Sequence, residues 1–166
     1  IANATLESVS SGTDFFVFMK VLMVCLGNIC RSPLAHGILL NSASKSWLID
    51  SAGTSGWHEG ERPDTRSIIT AKNHNINIED QKSRKFVIDD FDKYDVIFAM
   101  DSSNFSNLRA IAPNKTSADK IRLLMNEAYP DENRQVPDPY TGGQQGFEQV
   151  YQMLNYAIHC FLENNS

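Results

Sequence analysis

The sequence predicts a single doubly wound α/β domain, in which a four-stranded parallel sheet has helices packed on both faces. The apolar runs, such as residues 21–24, are continuous rather than alternating, which is typical of strands buried on both sides. A strand, a helix and a second strand follow one another within residues 21–52, and such a βαβ unit implies a parallel sheet. The length of 166 residues suits one domain with a sizeable core.

The composition excludes several classes of protein. The formal net charge is −5 and no basic run occurs, so nucleic acid is not expected as a partner, and an anionic substrate must be attracted by a local site. Three cysteines, an odd number, do not make a disulfide framework, so we expect reduced thiols and a cytoplasmic protein. The four histidines have no metal-ligand spacing, and neither a metal nor another cofactor is expected.

Residues 1–18 are expected to lie outside the domain, which then spans residues 19–166. The segment is rich in Ser, Thr and Asn and has little periodicity. It lacks both a basic start and an apolar stretch long enough to cross a bilayer, so we expect neither secretion nor a membrane partner. We interpret it as a mobile extension or an added tail, with Met19 as a candidate natural start. An additional edge strand at Phe15–Phe18 is the alternative.

The first strand, residues 21–24, leads into a loop that opens with Cys25 and closes with Arg31. Ser32 is predicted to cap the helix that follows, with Pro33 at its first position. Backbone N–H groups in such a strand–loop–helix turn can point inward and form an anion-binding nest, which the helix dipole reinforces. A cysteine at the base of the nest would be held as a thiolate, and the arginine fork matches two oxygens of a phosphate.

The residues inside this loop agree with that chemistry. Gly27 suits a tight turn, and Asn28 suits a left-handed conformation or a local hydrogen bond. The spacing from Cys25 to Arg31 could also arise by chance, since free cysteines are usually buried as small apolar residues. The sequence therefore predicts a phosphate-binding loop after the first strand as a hypothesis, which its context must support.

Further helices and a second strand follow. Residues 33–44 form a helix with an apolar face, and Trp47–Ala52 is the second strand. Trp57 lies on a glycine-rich loop, where it could line a site or cap an edge of the core. Asp64–His74 is the second helix, with its first residue as the cap. Three apolar residues of that helix are expected to face inward: Ile68, Ile69 and Ala71. The basic stretch Lys82–Lys85 is expected to be a solvated surface.

The second half of the chain completes the sheet. Tyr94–Met100 is the third strand, after which Asp101 is predicted to cap a helix. Residues 120–125 form a short fourth strand, and the apolar stripe along residues 144–164 predicts a long closing helix. The carboxyl ends of parallel strands meet at the switch point of the sheet, so the Cys25 loop and Asp101 are expected there together.

A second stretch, Val136-Pro-Asp-Pro-Tyr-Thr-Gly-Gly143, could supply a proton. A thiolate that attacks a phosphoester must expel an alkoxide or a phenoxide, and the leaving oxygen then needs a general acid. Prolines on both sides hold Asp138 in an extended loop and limit the freedom of its carboxyl group. The alternative is an ordinary Asp-Pro turn, which is common.

Taken together, the two stretches resemble the low-molecular-weight protein tyrosine phosphatases. The resemblance covers Met19 to about Leu162, and its first motif is highly specific to that family and its close relatives. The matching residues are Val24-Cys-Leu-Gly-Asn-Ile-Cys-Arg-Ser-Pro33, Asp50-Ser-Ala-Gly-Thr54, Trp57, His74, Phe98-Ala-Met-Asp101 and Asp138-Pro-Tyr140.

The resemblance implies hydrolysis of phosphotyrosine or aryl phosphates through a phosphocysteine intermediate. Cys25 would be the nucleophile, Arg31 would bind the equatorial oxygens, and Asp138 would act as general acid and then as base. The backbone N–H cradle would come from Leu26, Gly27, Asn28, Ile29, Cys30 and Ser32. Such an enzyme needs no metal, because the arginine and the amides stabilise the charge.

Other positions would support the site by the same resemblance. Ser32 would donate a hydrogen bond to the Cys25 thiolate and make it a better leaving group in the second step. Asn28 would hold the loop in its strained shape. His74 would tie Asn28 and Ser32 together from behind, and Asp101 would support the site from the neighbouring strand end.

By the same resemblance, four further residues would bear on regulation and specificity. In the family, a cysteine at the place of Cys30 forms a reversible disulfide with the nucleophile, and the alternative is a side chain that only packs the loop. Trp57 and Tyr140 would grip a phenyl ring. Many family members have a second Tyr after the first, and Thr141 stands here instead, which leaves the substrate range and any regulation through that Tyr open.

Two other interpretations compete with this one. An arsenate reductase on the same fold also begins with a Cys-to-Arg loop, but its chemistry needs further cysteines downstream, and none occurs between Cys30 and Cys160. A non-enzymatic phosphate-binding module could use the loop as an anion receptor, although it would need neither Cys25 nor Asp138. We expect a phosphotyrosine-containing protein or a small aryl phosphate as the partner, and we favour a monomer.

Overall fold

The computed structural model describes residues 18–165. The expected extension and the alternative edge strand therefore lie outside the described residues, except for Phe18. The backbone N–H of Phe18 donates to the Ser46 carbonyl oxygen at 3.2 Å, and its ring lies 5.9 Å from that of Trp47. Phe18 thus already contacts the domain, just before the predicted boundary.

Within the described residues, four strands form one parallel sheet. They are β1 Lys20–Cys25, β2 Leu48–Gly53, β3 Val96–Ala99 and β4 Ile121–Leu123. Their order across the sheet is β2-β1-β3-β4. The predicted strands are confirmed, with ends that shift slightly. β4 is shorter than predicted because a 3-10 turn at Leu124–Glu127 follows it directly.

Six helices lie within residues 18–165. They are α1 Arg31–Ser42, α2 Thr65–Asn73, α3 Asp90–Lys93, α4 Ser102–Ile111, α5 Lys115–Ala118 and α6 Gln144–Asn164. Asp64 and Asp101 cap α2 and α4 as predicted, because their carboxylates accept from the backbone N–H groups of Arg66 and Asn104. None of these described helices is both long and apolar enough to cross a membrane.

The helices cover both faces of the sheet, which confirms the doubly wound prediction. Alternate side chains of β1 point to opposite sides. Val21 and Met23 face a core shared with α1, α2 and α6, whereas Leu22 and Val24 face a core shared with α3 and α4. Burial on both sides is the reason for the continuous apolar sequence of β1.

Two predictions about the surface are wrong in detail. Ile69 does not face inward with the other two apolar residues of α2, since its side chain is 42% exposed. Arg84, in the stretch predicted to be solvated, is only partly exposed. Its guanidinium pairs with Asp90 at 3.0 Å and with Asp50 at 3.1 Å. Because Asp90 is buried, these pairs fasten the segment after α2 to the core.

The strand order determines where a ligand can bind. The connections that leave β1 and β3 run in opposite directions, toward β2 and β4, and such a divergence leaves a crevice at the carboxyl ends of the strands. Cys25 is the last residue of β1, and Asp101 follows β3. Both residues therefore lie at the crevice, as predicted.

Candidate active site

The loop after β1 is braced around Cys25, which is 2% exposed. Asn28 has a φ of 57°, in the left-handed region, as its sequence position predicted. Its Nδ2 donates to Ser32 Oγ at 2.8 Å and to Ser51 Oγ at 2.9 Å, and its Oδ1 accepts from the backbone N–H of Arg84 at 3.0 Å. These hydrogen bonds hold a backbone conformation that most side chains disfavour.

The prediction that Ser32 caps the helix is wrong. α1 begins earlier, at Arg31, and Cys30 precedes it without a side-chain cap. The Ser32 hydroxyl oxygen instead lies 3.0 Å from Cys25 Sγ and accepts from Asn28. Because Asn28 supplies the donor on that side, the hydroxyl proton of Ser32 has two acceptors within reach: the sulfur at 3.0 Å and, at 3.5 Å, the Ala52 carbonyl oxygen. The side chain therefore serves the candidate nucleophile rather than the helix terminus.

Arg31 is a buried cation with several partners. Its Nη1 donates to Asp101 Oδ2 at 2.6 Å and to the Val136 carbonyl oxygen at 3.0 Å, and its Nη2 lies 3.7 Å from Asp138 Oδ2. Burial disfavours the charge, but the electrostatic effects of Cys25 and Asp101 outweigh burial and raise the pKa of Arg31 above its ordinary value. The site thus keeps a permanent positive charge beside the sulfur.

One cavity of about 160 Å³ brings the three predicted catalytic residues together. Its lining comes from three loops: Cys25, Leu26, Gly27, Ile29, Cys30, Arg31, Trp57, His58, Asp138 and Tyr140. The Asp138 carboxylate is half-exposed, and its Oδ1 accepts from the backbone N–H of Tyr140 at 3.0 Å. No group of His, Cys, Asp or Glu suited to a metal ion occurs in the described part of the chain.

The rim of the cavity is aromatic and includes a residue that the sequence interpretation missed. Trp57 is 76% exposed and Tyr140 is 49% exposed, so Trp57 lines the site rather than capping the core. His58 also lines the cavity, with its Nδ1 3.0 Å from Glu61 Oε2. A Cβ at Gly27 would lie 3.1 Å from the His58 ring, so this glycine makes room for that ring. In the sequence, only the position of His58 next to Trp57 indicated that it could line the site.

The predicted role of His74 is wrong. Its Nε2 lies 2.9 Å from Glu148 Oε1 and its ring stacks on Tyr151 at 3.7 Å, so it links the end of α2 to α6. The bracing of the loop comes instead from Ser51 in β2, whose hydroxyl oxygen lies 3.3 Å from Nδ1 of His36 in α1. The sequence contains a signal for Ser51, because a serine is unusual within a buried strand. Nothing in the sequence separated His36 from the other histidines.

The sequence model of the low molecular weight phosphotyrosine protein phosphatase family matches residues 20–165. The chain belongs to this family. A relative of that name from Schizosaccharomyces pombe is 42% identical over 152 residues, which cover 88% of this chain and 96% of the relative. The human relative is 39% identical over 150 residues, covering 87% and 94%. A protein tyrosine phosphatase from Entamoeba histolytica has a crystal structure with a TM-score of 0.82 at 35% identity, covering 89% of this chain and 96% of that one.

Cys30, the second cysteine of the loop after β1, is buried against Ile29 and Phe147. Burial, followed by the negative charge of Asp64, raises the pKa of the Cys30 thiol above its ordinary value. Cys30 therefore stays protonated in the resting phosphatase. Cys30 is therefore not a candidate for the catalytic nucleophile, because the thiolate is the form that attacks.

Substitution of Asn28 tests whether its side-chain hydrogen bonds stabilise the loop after β1. In Asn28→Ala the left-handed backbone becomes strained and the side-chain hydrogen bonds are lost, so the free energy of unfolding should fall by about 2–4 kcal/mol. Asn28→Gly relieves the strain alone and should recover about 1 kcal/mol. Urea unfolding followed by circular dichroism measures both values. Equal stability of Asn28→Gly and the wild type would contradict the bracing.

His36 predicts a dependence of stability on pH. Burial lowers the pKa of His36 below its ordinary value of 6.5, against the opposing effects of Asp50 and Gln81. Just below that pH the unfolded chain therefore binds more protons at this site than the folded chain, and the free energy of unfolding falls as the pH falls. His36→Asn keeps an acceptor for the Ser51 hydroxyl but does not titrate, so it should flatten this part of the curve.

Urea midpoints between about pH 7 and about pH 5 measure this effect of His36. His159→Asn is the matched control, because His159 lies on the exposed side of α6. It should keep the wild-type slope. A slope in His36→Asn as steep as that of the control would show that another group is responsible.

Proposed function

We propose that this phosphatase hydrolyses phosphotyrosine and other aryl phosphate monoesters through a phosphocysteine intermediate. The observation that carries the proposal is the convergence of Cys25, Arg31 and Asp138 on one cavity with an aromatic rim. Transfer of a phosphoryl group to sulfur, and then to water, requires a thiolate, a fixed cation and an exposed carboxyl group. The phosphotyrosine phosphatase names of the relatives from S. pombe and human support the same substrate class.

In the first step, the Cys25 thiolate attacks the phosphorus atom of the bound monoester. An S–P bond forms while the P–O bond to the phenol breaks, and Asp138, protonated at this stage, gives its proton to the leaving oxygen. The products are phosphocysteine, a free phenol and the Asp138 carboxylate. The backbone N–H groups of the loop and the Arg31 fork hold the non-bridging oxygens.

In the second step, the Asp138 carboxylate takes a proton from water while the water oxygen attacks phosphorus. The S–P bond breaks, inorganic phosphate leaves, and Cys25 returns as a thiolate. The Ser32 hydroxyl, 3.0 Å from the sulfur, stabilises the departing thiolate through a hydrogen bond. Asp138 ends the cycle protonated, ready for the next substrate.

The rim supports a preference for aryl esters. Trp57 and Tyr140 provide flat apolar walls, which bury a phenyl ring better than the short side chain of phosphoserine. Thr141 follows Tyr140, so the rim has one aromatic side chain fewer than in many family members. We therefore propose phosphotyrosine in a protein, or a small aryl phosphate, as the substrate.

Two variants test the assigned chemistry. Cys25→Ser should reduce phosphate release from phenyl phosphate to background, because a serine hydroxyl is a far weaker nucleophile than a thiolate. Asp138→Ala should lower kcat/KM about 10²- to 10³-fold for phenyl phosphate and much less for p-nitrophenyl phosphate, since a good leaving group needs no proton. Steady-state kinetics under reducing conditions measures both substrates.

Asp119→Ala is the control for these kinetics, because this exposed carboxylate pairs with Lys115 and does not line the cavity. It should keep wild-type kcat/KM. Equal losses for the two substrates would remove Asp138 as the general acid. A wild type that binds phosphate but releases none would favour the non-enzymatic binding module.

We also propose that Cys30 protects Cys25 from irreversible oxidation, in a protein that works in the reducing cytoplasm. Hydrogen peroxide would oxidise the Cys25 thiolate to a sulfenic acid. Oxidation removes the negative charge of Cys25, which is one of the causes that raise the pKa of Cys30. The Cys30 thiol would then pass its proton to the sulfenic hydroxyl, which leaves as water, while the Cys30 thiolate attacks the Cys25 sulfur and forms the disulfide. Both cysteines are free, buried and part of one cavity lining, which supports this step.

Oxidation and recovery of activity test the role of Cys30. After peroxide treatment, dithiothreitol should restore the wild type but not Cys30→Ser, because without a partner sulfur the sulfenic acid proceeds to irreversible acids. Cys160→Ser is the matched control and should recover like the wild type, since Cys160 lies on α6 and does not line the cavity. Full recovery of Cys30→Ser would contradict the proposal.

A further inference from the structure

The loop that carries Asp138, residues 135–143, is called the acid loop here. It is anchored before Asp138 by Val136, which is fully buried. The Val136 backbone N–H donates to the Met100 carbonyl oxygen at 2.8 Å, and its carbonyl oxygen accepts from Arg31 at 3.0 Å. This anchor ties the first half of the acid loop to the end of β3 and to the loop of residues 25–31 after β1, the phosphate loop.

A second anchor holds the acid loop after Asp138. Arg66, in the first turn of α2, donates from Nη1 to the Gly142 carbonyl oxygen at 2.7 Å and from Nη2 to the Tyr140 carbonyl oxygen at 2.9 Å. Its guanidinium also lies over the Phe147 ring, 4.5 Å from the ring centroid. The second half of the acid loop is thereby pinned to α2 and α6.

Asp64 fixes the Arg66 guanidinium in turn. Its Oδ1 accepts from Nε at 3.0 Å and its Oδ2 accepts from Nη2 at 2.9 Å, which sets the plane of the fork. The hydrogen bonds from Arg66 lower the pKa of Asp64, so its carboxylate stays ionised.

The same turn of α2 also holds the phosphate loop. The backbone N–H of Asp64 donates to the Ile29 carbonyl oxygen at 2.8 Å, and Ser67 Oγ donates to the Cys30 carbonyl oxygen at 3.1 Å. Short hydrogen bonds therefore run from one helix turn to both loops of the site. The separation between nucleophile and acid depends on that turn.

We propose that Arg66 is a positioning residue for the general acid, an inference that rests on the proposed phosphatase reaction. The Asp138 side chain is 46% exposed, and its contacts are a neighbouring backbone N–H at 3.0 Å and an approach of 3.7 Å to Arg31. These contacts constrain the carboxyl group weakly, so its place follows from the backbone of the acid loop. Arg66 sets that backbone relative to Cys25.

Loss of this anchor should impair proton transfer selectively. If the acid loop shifts by about 1 Å, the carboxyl group misses the leaving oxygen, and such a displacement costs on the order of 10²-fold in rate. The hydrogen bonds that Ser32 makes with Cys25 and Asn28 do not involve Arg66, so binding of phosphate and attack on phosphorus persist. Esters with poor leaving groups should therefore suffer most.

Arg66→Met, which keeps an apolar stem but removes the fork, tests this consequence. Its kcat/KM for phenyl phosphate should fall about 10- to 100-fold, whereas kcat/KM for p-nitrophenyl phosphate should fall less than about 3-fold. Arg66→Lys keeps the charge without the fork and should change in the same direction. Arg109→Met removes an arginine that lies over the Phe105 ring on α4, and this control should leave both values unchanged.

A double variant separates positioning from general structural damage. Asp138→Asn already lacks the carboxyl group that donates the proton. Adding Arg66→Met to this variant should therefore lower kcat/KM for phenyl phosphate little further. Equal losses for the two substrates, additive losses in the double variant, or no loss in Arg66→Met would overturn the inference. If Arg66→Met does not fold, Arg66→Lys with the same two substrates decides.

Kinetics of the wild type and of Arg66→Met distinguish the role of Arg66 from the phosphatase reaction itself. A wild type that is inactive on both phenyl phosphates would overturn the proposed function before any variant is compared. An active wild type with an unselective Arg66→Met overturns only the role of Arg66. Inhibition by inorganic phosphate, measured in each active variant, should stay at the wild-type level, because the phosphate loop is unchanged.

Discussion

Arg31 carries a positive charge on a side chain that is only 3% exposed, and such a charge is stable only when it is paired and hydrogen-bonded. Its partners come from different parts of the chain: Asp101 after β3, the Val136 carbonyl oxygen before the acid, and Asp138 itself. The buried guanidinium thus connects the phosphate loop to two other segments, the end of β3 and the acid loop. Loss of the Asp101 carboxylate would leave this buried charge without its shortest hydrogen bond, and the fold would be destabilised.

The phosphate loop depends on polar contacts that reach it from behind. The left-handed conformation of Asn28 costs about 1 kcal/mol, and its side-chain hydrogen bonds offset that cost. They come from the start of α1, from Ser51 in β2 and from the backbone of Arg84, whose side chain is held by Asp90. Elements on both faces of the sheet therefore share in holding this one loop in its conformation.

The residues of the proposed chemistry were predictable because their signals are local. Cys25, Asn28 and Arg31 belong to a single loop, where the strand end and the left-handed residue are each indicated by neighbouring residues. Asp138 has a comparable local signal in its flanking prolines. Ser32 shows the limit of such signals. A serine near a helix start is typical of a cap, but this one lies inside the helix and its hydroxyl reaches the sulfur at 3.0 Å.

The sequence by itself determined the fold class, the loop after β1 and the candidates for nucleophile and acid, since each depends on contiguous residues or on periodicity. Only the tertiary structure decided which side chains brace that site. His74 was expected there, yet His36 reaches Ser51, and Arg66 connects the two loops. These choices depend on how helices cross the sheet, because a hydrogen bond needs an approach of about 3 Å that no spacing along the chain specifies.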